Sequence, residues 1–167
     1  MEDALGLAKE LLNTVTPMKA DCGKVCGAAC CTSLEGEETG MLLFPGEEKE
    51  YDGLPDWRIV RADGRTLVIC PGKCDRNRRP LSCRIFPLLP VIRNGEIRAV
   101  TDLRAKAVCP LARQGISAVD PAFSGCVAQV GAILMKDAIQ RSFLEQLTAE
   151  QTELREIRKR FGRQEDV

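Results

Sequence analysis

The chain has 167 residues, 44% of them hydrophobic, which excludes wholesale disorder and suits one domain able to bury a real core. Its 24 lysines and arginines equal its 24 aspartates and glutamates, so it lacks the basic excess of a dedicated nucleic-acid binder. There is no histidine, which removes Cys-His and Ser-His catalysis, histidine-ligated zinc and the two-His-one-carboxylate iron site.

Taken in chain order, Asp3 to Val15 is predicted as a short helix with Leu5, Ala8, Leu11 and Leu12 on one side, ended by Pro17. Glu2 and Asp3 stand where a secretory signal would carry positive charge. No uncharged run approaches the roughly 20 apolar residues that a bilayer span needs. A cytoplasmic protein with reduced thiols and no membrane partner is therefore expected. The cysteine cluster Cys22 to Cys31 follows, then an acidic, Gly-rich stretch from Glu35 to Asp56 with eight acids and only Lys49 as a base. Trp57 to Arg61 and Arg65 to Cys70 are predicted as a hairpin around Asp63-Gly64, a favoured tight-turn pair.

An arginine-rich loop, Pro71 to Ser82, leads to Cys83-Arg84-Ile85-Phe86-Pro87. Val91 to Ile92 and Ile97 to Val100 form a second hairpin around Asn94-Gly95, and Pro87 and Pro90 make its first strand short or an edge strand. Asp120-Pro121 reads as an N-cap followed by a first-turn proline, with Phe123, Val127, Val130, Leu134 and Ala138 at helix spacing. Thr148 to Gln151 reads as a capping box that opens a final helix. Leu147, Leu154, Ile157 and Phe161 are its apolar stripe and Gly162 its stop. The expected fold is α+β: a small cysteine-rich metal-binding domain with short β-hairpins and a helical C-terminal tail. Residues 1–167 form a single domain, with the metal-binding part at 20–111 and the tail at 120–162 packed on it.

Nine cysteines, an odd number, leave one unpaired in any disulfide scheme, so metal or redox chemistry is favoured. Eight of them are grouped: Cys22, Cys26, Cys30 and Cys31, then Cys70, Cys74 and Cys83, and later Cys109. Three residues separate Cys22 from Cys26 and Cys70 from Cys74, inside the spacing of thiolate metal sites, where one turn of chain aims two sulfurs at one ion. Cys70-Pro71 and Cys109-Pro110 echo the cysteine-proline step of iron–sulfur proteins. Neighbouring side chains diverge on a helix or a strand. Cys30 and Cys31 are therefore expected either to split into one ligand and one packing thiol, or to serve two neighbouring sites. Eight thiols match two four-sulfur sites. Lys24, Lys73, Arg76, Arg78, Arg79 and Arg84 lie beside them and either offset the negative charge of a thiolate site or pair with the acidic stretch. Cys126, in the helix beginning at Pro121, is expected as a buried structural thiol.

Cys22, Cys26 and Cys30-Cys31, followed by Cys70, Cys74 and Arg79-Pro80-Leu81-Ser82-Cys83-Arg84-Ile85-Phe86-Pro87, resemble the zinc- or iron-chelating domain family with its clustered-cysteine signature. The resemblance covers roughly residues 20–111 and leaves the helical tail outside. One departure is the first cluster, where three residues separate Cys22 from Cys26 against two in the family pattern. The resemblance implies metal chelation, often described as iron–sulfur, without implying one reaction. A similar signature is shared with flagellin lysine N-methylases, but this chain is short for such an enzyme and has no Gly-rich cofactor loop. The radical S-adenosylmethionine spacing is also missing.

The expected function is therefore binding of an iron–sulfur cluster (4Fe-4S) or zinc through cysteine thiolates, in redox or metal handling. One alternative is a structural zinc module whose C-terminal helix docks on a protein partner. Another is a metal-dependent modifying enzyme in which Glu37, Glu38, Glu47 and Glu48 supply carboxylates, set against a simple solvated acidic loop.

Overall fold

A computed structural model describes residues 3–32, 40–72 and 75–162. The fold is α+β, with antiparallel strands, a helical C-terminal third and short helical turns between them. Helix α1 (Ala4–Leu11) starts where the Asp3 carboxylate accepts from the Leu5 N–H at 3.1 Å. It stops four residues short of the expected end. The carbonyls of Leu12 and Val15 turn to the Arg76 guanidinium, at 3.1 and 2.6 Å, instead of continuing the helix. A single turn, α2 (Cys22–Cys26), follows with Asp21 as its cap.

Strand β1 (Met41–Leu42) lies inside the stretch read from sequence as an acidic loop. It pairs with β3 (Arg65–Ile69), and β3 pairs with β2 (Arg58–Ala62), giving the antiparallel order β1-β3-β2. The β2–β3 turn has Asp63 and Gly64 at φ of 52° and 73°, the left-handed values that favour this dipeptide. Helix α3 (Leu81–Ile85) carries Cys83 and leads through a cis Phe86-Pro87 bond into β4 (Leu88–Arg93). Among the described residues strand β4 pairs only with β5 (Glu96–Thr101), so Pro90 sits on an edge strand as expected, although the strand is longer than its prolines suggest.

Helix α4 (Pro110–Gln114) is short, and α5 (Pro121–Leu134) is capped by Asp120 with proline in its first turn. Helix α6 (Ala138–Phe161) starts at Asp137, whose carboxylate accepts from Ile139 and Gln140, and not at Thr148. Thr148 and Gln151 have another task. The Thr148 hydroxyl accepts from the Ile92 N–H at 3.0 Å, while Gln151 accepts from Leu103 and donates to Asp102. Together they rivet α6 to β4 and to the turn after β5.

One apolar core joins α1, α3, β4, α5 and α6 through residues such as Leu12, Phe44, Ile85, Val91, Phe123, Val130 and Leu144. Burying each such side chain stabilises the fold by about 1.5–3 kcal/mol. Gly131 lets α5 lie directly on the β4–β5 hairpin: a Cβ there would meet Ile97 Cγ2 at 2.6 Å and Pro90 Cβ at 2.7 Å. Leu43, Tyr51 and Val68 form a second cluster, packed by Trp57 and Ile59 under the three-stranded sheet, with the Tyr51 and Trp57 rings stacked at 4.9 Å. Among the described residues no helix is long and apolar enough to cross a membrane.

Candidate metal centre

The grouped cysteines come from four separate pieces of chain. Cys22 and Cys26 occupy the two ends of α2, one helical turn apart, so the three-residue spacing puts both on one face. Gly27 and Ala28 then take left-handed conformations, at φ of 66° and 54°, and reverse the chain into a tight turn over Ala29–Cys31. This turn brings the Cys30 and Cys31 sulfurs to 3.9 Å, closer than the divergence expected of neighbours in a helix or strand. Cys70 follows the end of β3, and Gly72 at φ 81° runs so close to the first cluster that a Cβ there would lie 3.5 Å from the Cys31 carbonyl oxygen. Cys83 sits in the middle of α3. Cys109 precedes Pro110, which opens α4, so here the cysteine-proline step is the start of a helix.

These pieces surround two adjoining cavities. Cys22, Cys26, Cys30 and Cys109 line one of about 230 Å3, with Met18, Val25, Val108 and Leu111 among its other walls. Cys30, Cys31, Cys70 and Cys83 line the other, of about 70 Å3, together with Met41, Trp57 and Arg79. Cys30 and Phe86 belong to both. No group of three or more Cys, Asp or Glu among the described residues stands close enough to hold one metal ion. Seven of the eight described thiols are spread around the two cavities. Cys74 lies outside the described residues, as do Lys73, Glu37 and Glu38. Cys126 lines neither cavity and packs half-buried against the main core.

The thiols act on one another. The hydrogen bond with Cys31, then burial, then the charges of Cys31, Cys22 and Cys83 push the Cys30 thiol up. The same bond pulls Cys31 down to about 6, against burial, with the Arg79 guanidinium helping. Burial and Cys26 raise Cys22, with Arg79 opposing. Crowded thiols of this kind resist joint ionisation until a cation shares their charge.

The arginines divide the work. Arg79 lines the smaller cavity. Arg76 and Arg84 spend their guanidinium groups on backbone, which neither sequence expectation foresaw. Arg84 donates to the carbonyls of Arg79 (2.9 Å), Lys9 (3.3 Å) and Asn77 (2.8 Å) and to Asn13 Oδ1 (2.7 Å). The loop before Cys83 is thereby tied to the end of α1. Their positive charge still crowds the site: burial, then Arg79 and Arg84, lower the Arg76 pKa, with Cys22 opposing.

Glu47, offered from sequence as an acid–base group or a member of a solvated loop, does not lie in a solvated loop. It is fully buried, accepts from the N–H groups of Phe44 and Leu81 at 2.8 Å each, and pairs with Lys9 at 2.9 Å. It joins α1, the turn after β1 and the start of α3. Glu48 accepts from the Gly46 N–H at 2.9 Å and caps a local turn. Sequence reasoning missed Phe86 as the wall common to both cavities and Trp57 as a wall of one. The Arg-Pro-x-x-Cys-Arg-x-Phe-Pro run contained Phe86, while nothing in the spacing marked Trp57.

No family model, curated protein or solved structure matches this chain.

Proposed function

We propose that the chain is a cysteine-thiolate metal protein that holds iron–sulfur clusters at two adjoining sites and serves redox or metal handling. The observation that carries this reading is the pair of cavities, each lined by four thiols and sharing Cys30. An all-sulfur donor set without histidine or a grouped carboxylate suits iron–sulfur clusters or zinc and not the hard cations. The two cavities, at about 230 and 70 Å3, both exceed the roughly 10–15 Å3 that one water needs, so each has room for a bound group. Cys22, Cys26, Cys30 and Cys109 would hold one group, and Cys30, Cys31, Cys70 and Cys83 the other. An iron–sulfur cluster supplies one-electron transfer. The resemblance to the zinc- or iron-chelating family points the same way. Arg79, on the wall of the smaller cavity, would offset part of the negative charge that a four-thiolate site carries.

One observation favours zinc as the second reading. The 3.9 Å between the Cys30 and Cys31 sulfurs matches the roughly 3.8 Å between two sulfurs bound 2.3 Å from one tetrahedral zinc. Elemental analysis, acid-labile sulfide and a visible spectrum on anaerobically purified protein decide between them. Iron with sulfide, and colour that bleaches on reduction, is the expected result. Colourless protein with stoichiometric zinc would transfer the site to the second reading. Protein that retains neither metal, before or after anaerobic reconstitution, would refute both.

A further inference from the structure

Helix α6 outruns the body of the protein. Its last buried residue is Gln151, and from Thr152 to Phe161 every residue is exposed or half-exposed. Ten helical residues extend about 15 Å. Leu154, Ile157 and Phe161 fall at i, i+3 and i+7, on one side of this overhang. Leu154 is half-buried, whereas Ile157 and Phe161 are 45% and 72% exposed. The stripe expected to pack on its own core therefore does so only at Leu147.

The same end of the molecule concentrates positive charge. Arg155, Arg158, Lys159 and Arg160 stand on the overhang, and Arg93 and Arg98 flank the β4–β5 turn beside it. Glu96 pairs with Arg98 at 3.1 Å and Glu156 with Lys159 at 2.7 Å, and Glu153 is the third carboxylate against six cations. Burial, then the charges of Arg155 and Arg98, lower the Arg93 pKa, so hairpin and helix meet with like charge facing like.

We propose that residues 152–162 are a docking handle for a protein partner whose apolar groove is rimmed by carboxylates. A second copy of the chain is disfavoured, because it would set cations against cations. Three anchors at i, i+3 and i+7 fit a groove that accepts one helix edge. They cover about 60° of the helix circumference, narrower than the roughly 100° apolar face with which a surface helix lies on an apolar layer. Nucleic acid would use the cations and stack a base on Phe161 but make no use of the Leu154 and Ile157 anchors. The proposal stands on residues remote from the cysteines, so loss of the metal reading leaves it intact.

A photo-crosslinking amino acid at position 157, and separately at 161, in the full chain made in its source cells, tests this. One acidic protein captured from both positions is expected to bind the purified chain. The doubly substituted I157A/F161A and R155E/R158E chains should each weaken that binding at least about tenfold. Raising salt from about 50 to about 300 mM should weaken it further. All four positions are exposed or half-exposed, and circular dichroism confirms that each variant remains folded. Absence of a common protein, or affinity unchanged in either variant, overturns the proposal. So does binding of the purified chain to phosphatidylserine vesicles or single-stranded RNA that I157A/F161A abolishes.

Discussion

Replacing Arg84 with lysine keeps the positive charge beside the cysteines and removes the fork. Four acceptors receive the Arg84 guanidinium, three of them backbone carbonyls, and a lysine ammonium on a flexible stem reaches one of the four at best. Hydrogen bonds to a charged group contribute about 1.5–3 kcal/mol each, so three lost bonds set an upper bound of about 5–9 kcal/mol. Arg84 is half-exposed, and water replaces part of what is lost, which brings the expected destabilisation to about 2–4 kcal/mol. If the arginine served only as a counter-charge, Arg84→Lys would stay within about 0.5 kcal/mol of the parent. Urea denaturation followed by circular dichroism reads the difference, with metal content measured on the same samples. The loop from Asn77 to Cys83 should loosen, so metal content should fall along with stability. An Arg84→Lys chain as stable as the parent and with full metal content would refute the staple and restore the electrostatic role.

Three further outcomes follow from particular contacts. Cys30→Ser should deplete metal from both sites, Cys22→Ser and Cys31→Ser from one each, and Cys126→Ser from neither, as read by metal per chain; equal loss in the Cys22, Cys30 and Cys31 variants would contradict two sites with a common thiol. Gly131→Ala should destabilise by up to about 2 kcal/mol, the overpacking cost of about 1–3 less the roughly 1 kcal/mol gained in helix propensity. Gly125→Ala in the same helix, with nothing within 4 Å of its Cβ, should instead stabilise by about 0.5–1 kcal/mol, and thermal melts showing one sign for both would undo the contact argument. Burial raises the Glu47 carboxyl above its ordinary 4.5, against Lys9 and two N–H donors, so the folded chain holds that proton more tightly than the unfolded chain. The contribution of Glu47 is thus complete below the ordinary carboxyl value and declines as pH rises through the higher folded one; denaturation of Glu47→Gln and the parent at several pH values should show their gap narrowing upward from pH 4.5, and a widening gap would reverse the assignment.

Local chemistry explains which parts of this fold the sequence made legible. Asp63-Gly64 and Asn94-Gly95 admit the left-handed turn directly, so both hairpins could be read from two residues each. Asp3, Asp120 and Pro121 likewise announce their helices. Thr148 to Gln151 misled because a capping-box pattern has a second use: the same polar side chains can bond across to another element, and here they hold the hairpin. Strand β1 is two residues long inside an acidic stretch, and only its pairing with Val68 and Leu67 makes it a strand. The gathering of cysteines was legible as grouping, while the sharing of Cys30 between two cavities depends on the left-handed pair Gly27-Ala28. Ala28 has no composition signal for that conformation. Glu47 looked like every other acid in its stretch, because its burial depends on Lys9 and Leu81, both distant in sequence.

Cys109 shares a cavity wall with Cys22, and that fixes when during synthesis the proposed centre could be finished. A ribosome adding roughly 5–20 residues per second releases Cys22 to Cys31 about 4 to 16 seconds before Cys109 is made. Through that interval the first four thiols have no partner from α4 and are open to oxidants and to stray metal ions. On the proposed metal reading, the cell either shields the nascent N-terminal segment or loads the centre after the polypeptide has passed α4. Maturation of such a centre would be a late event, imposed by chain order.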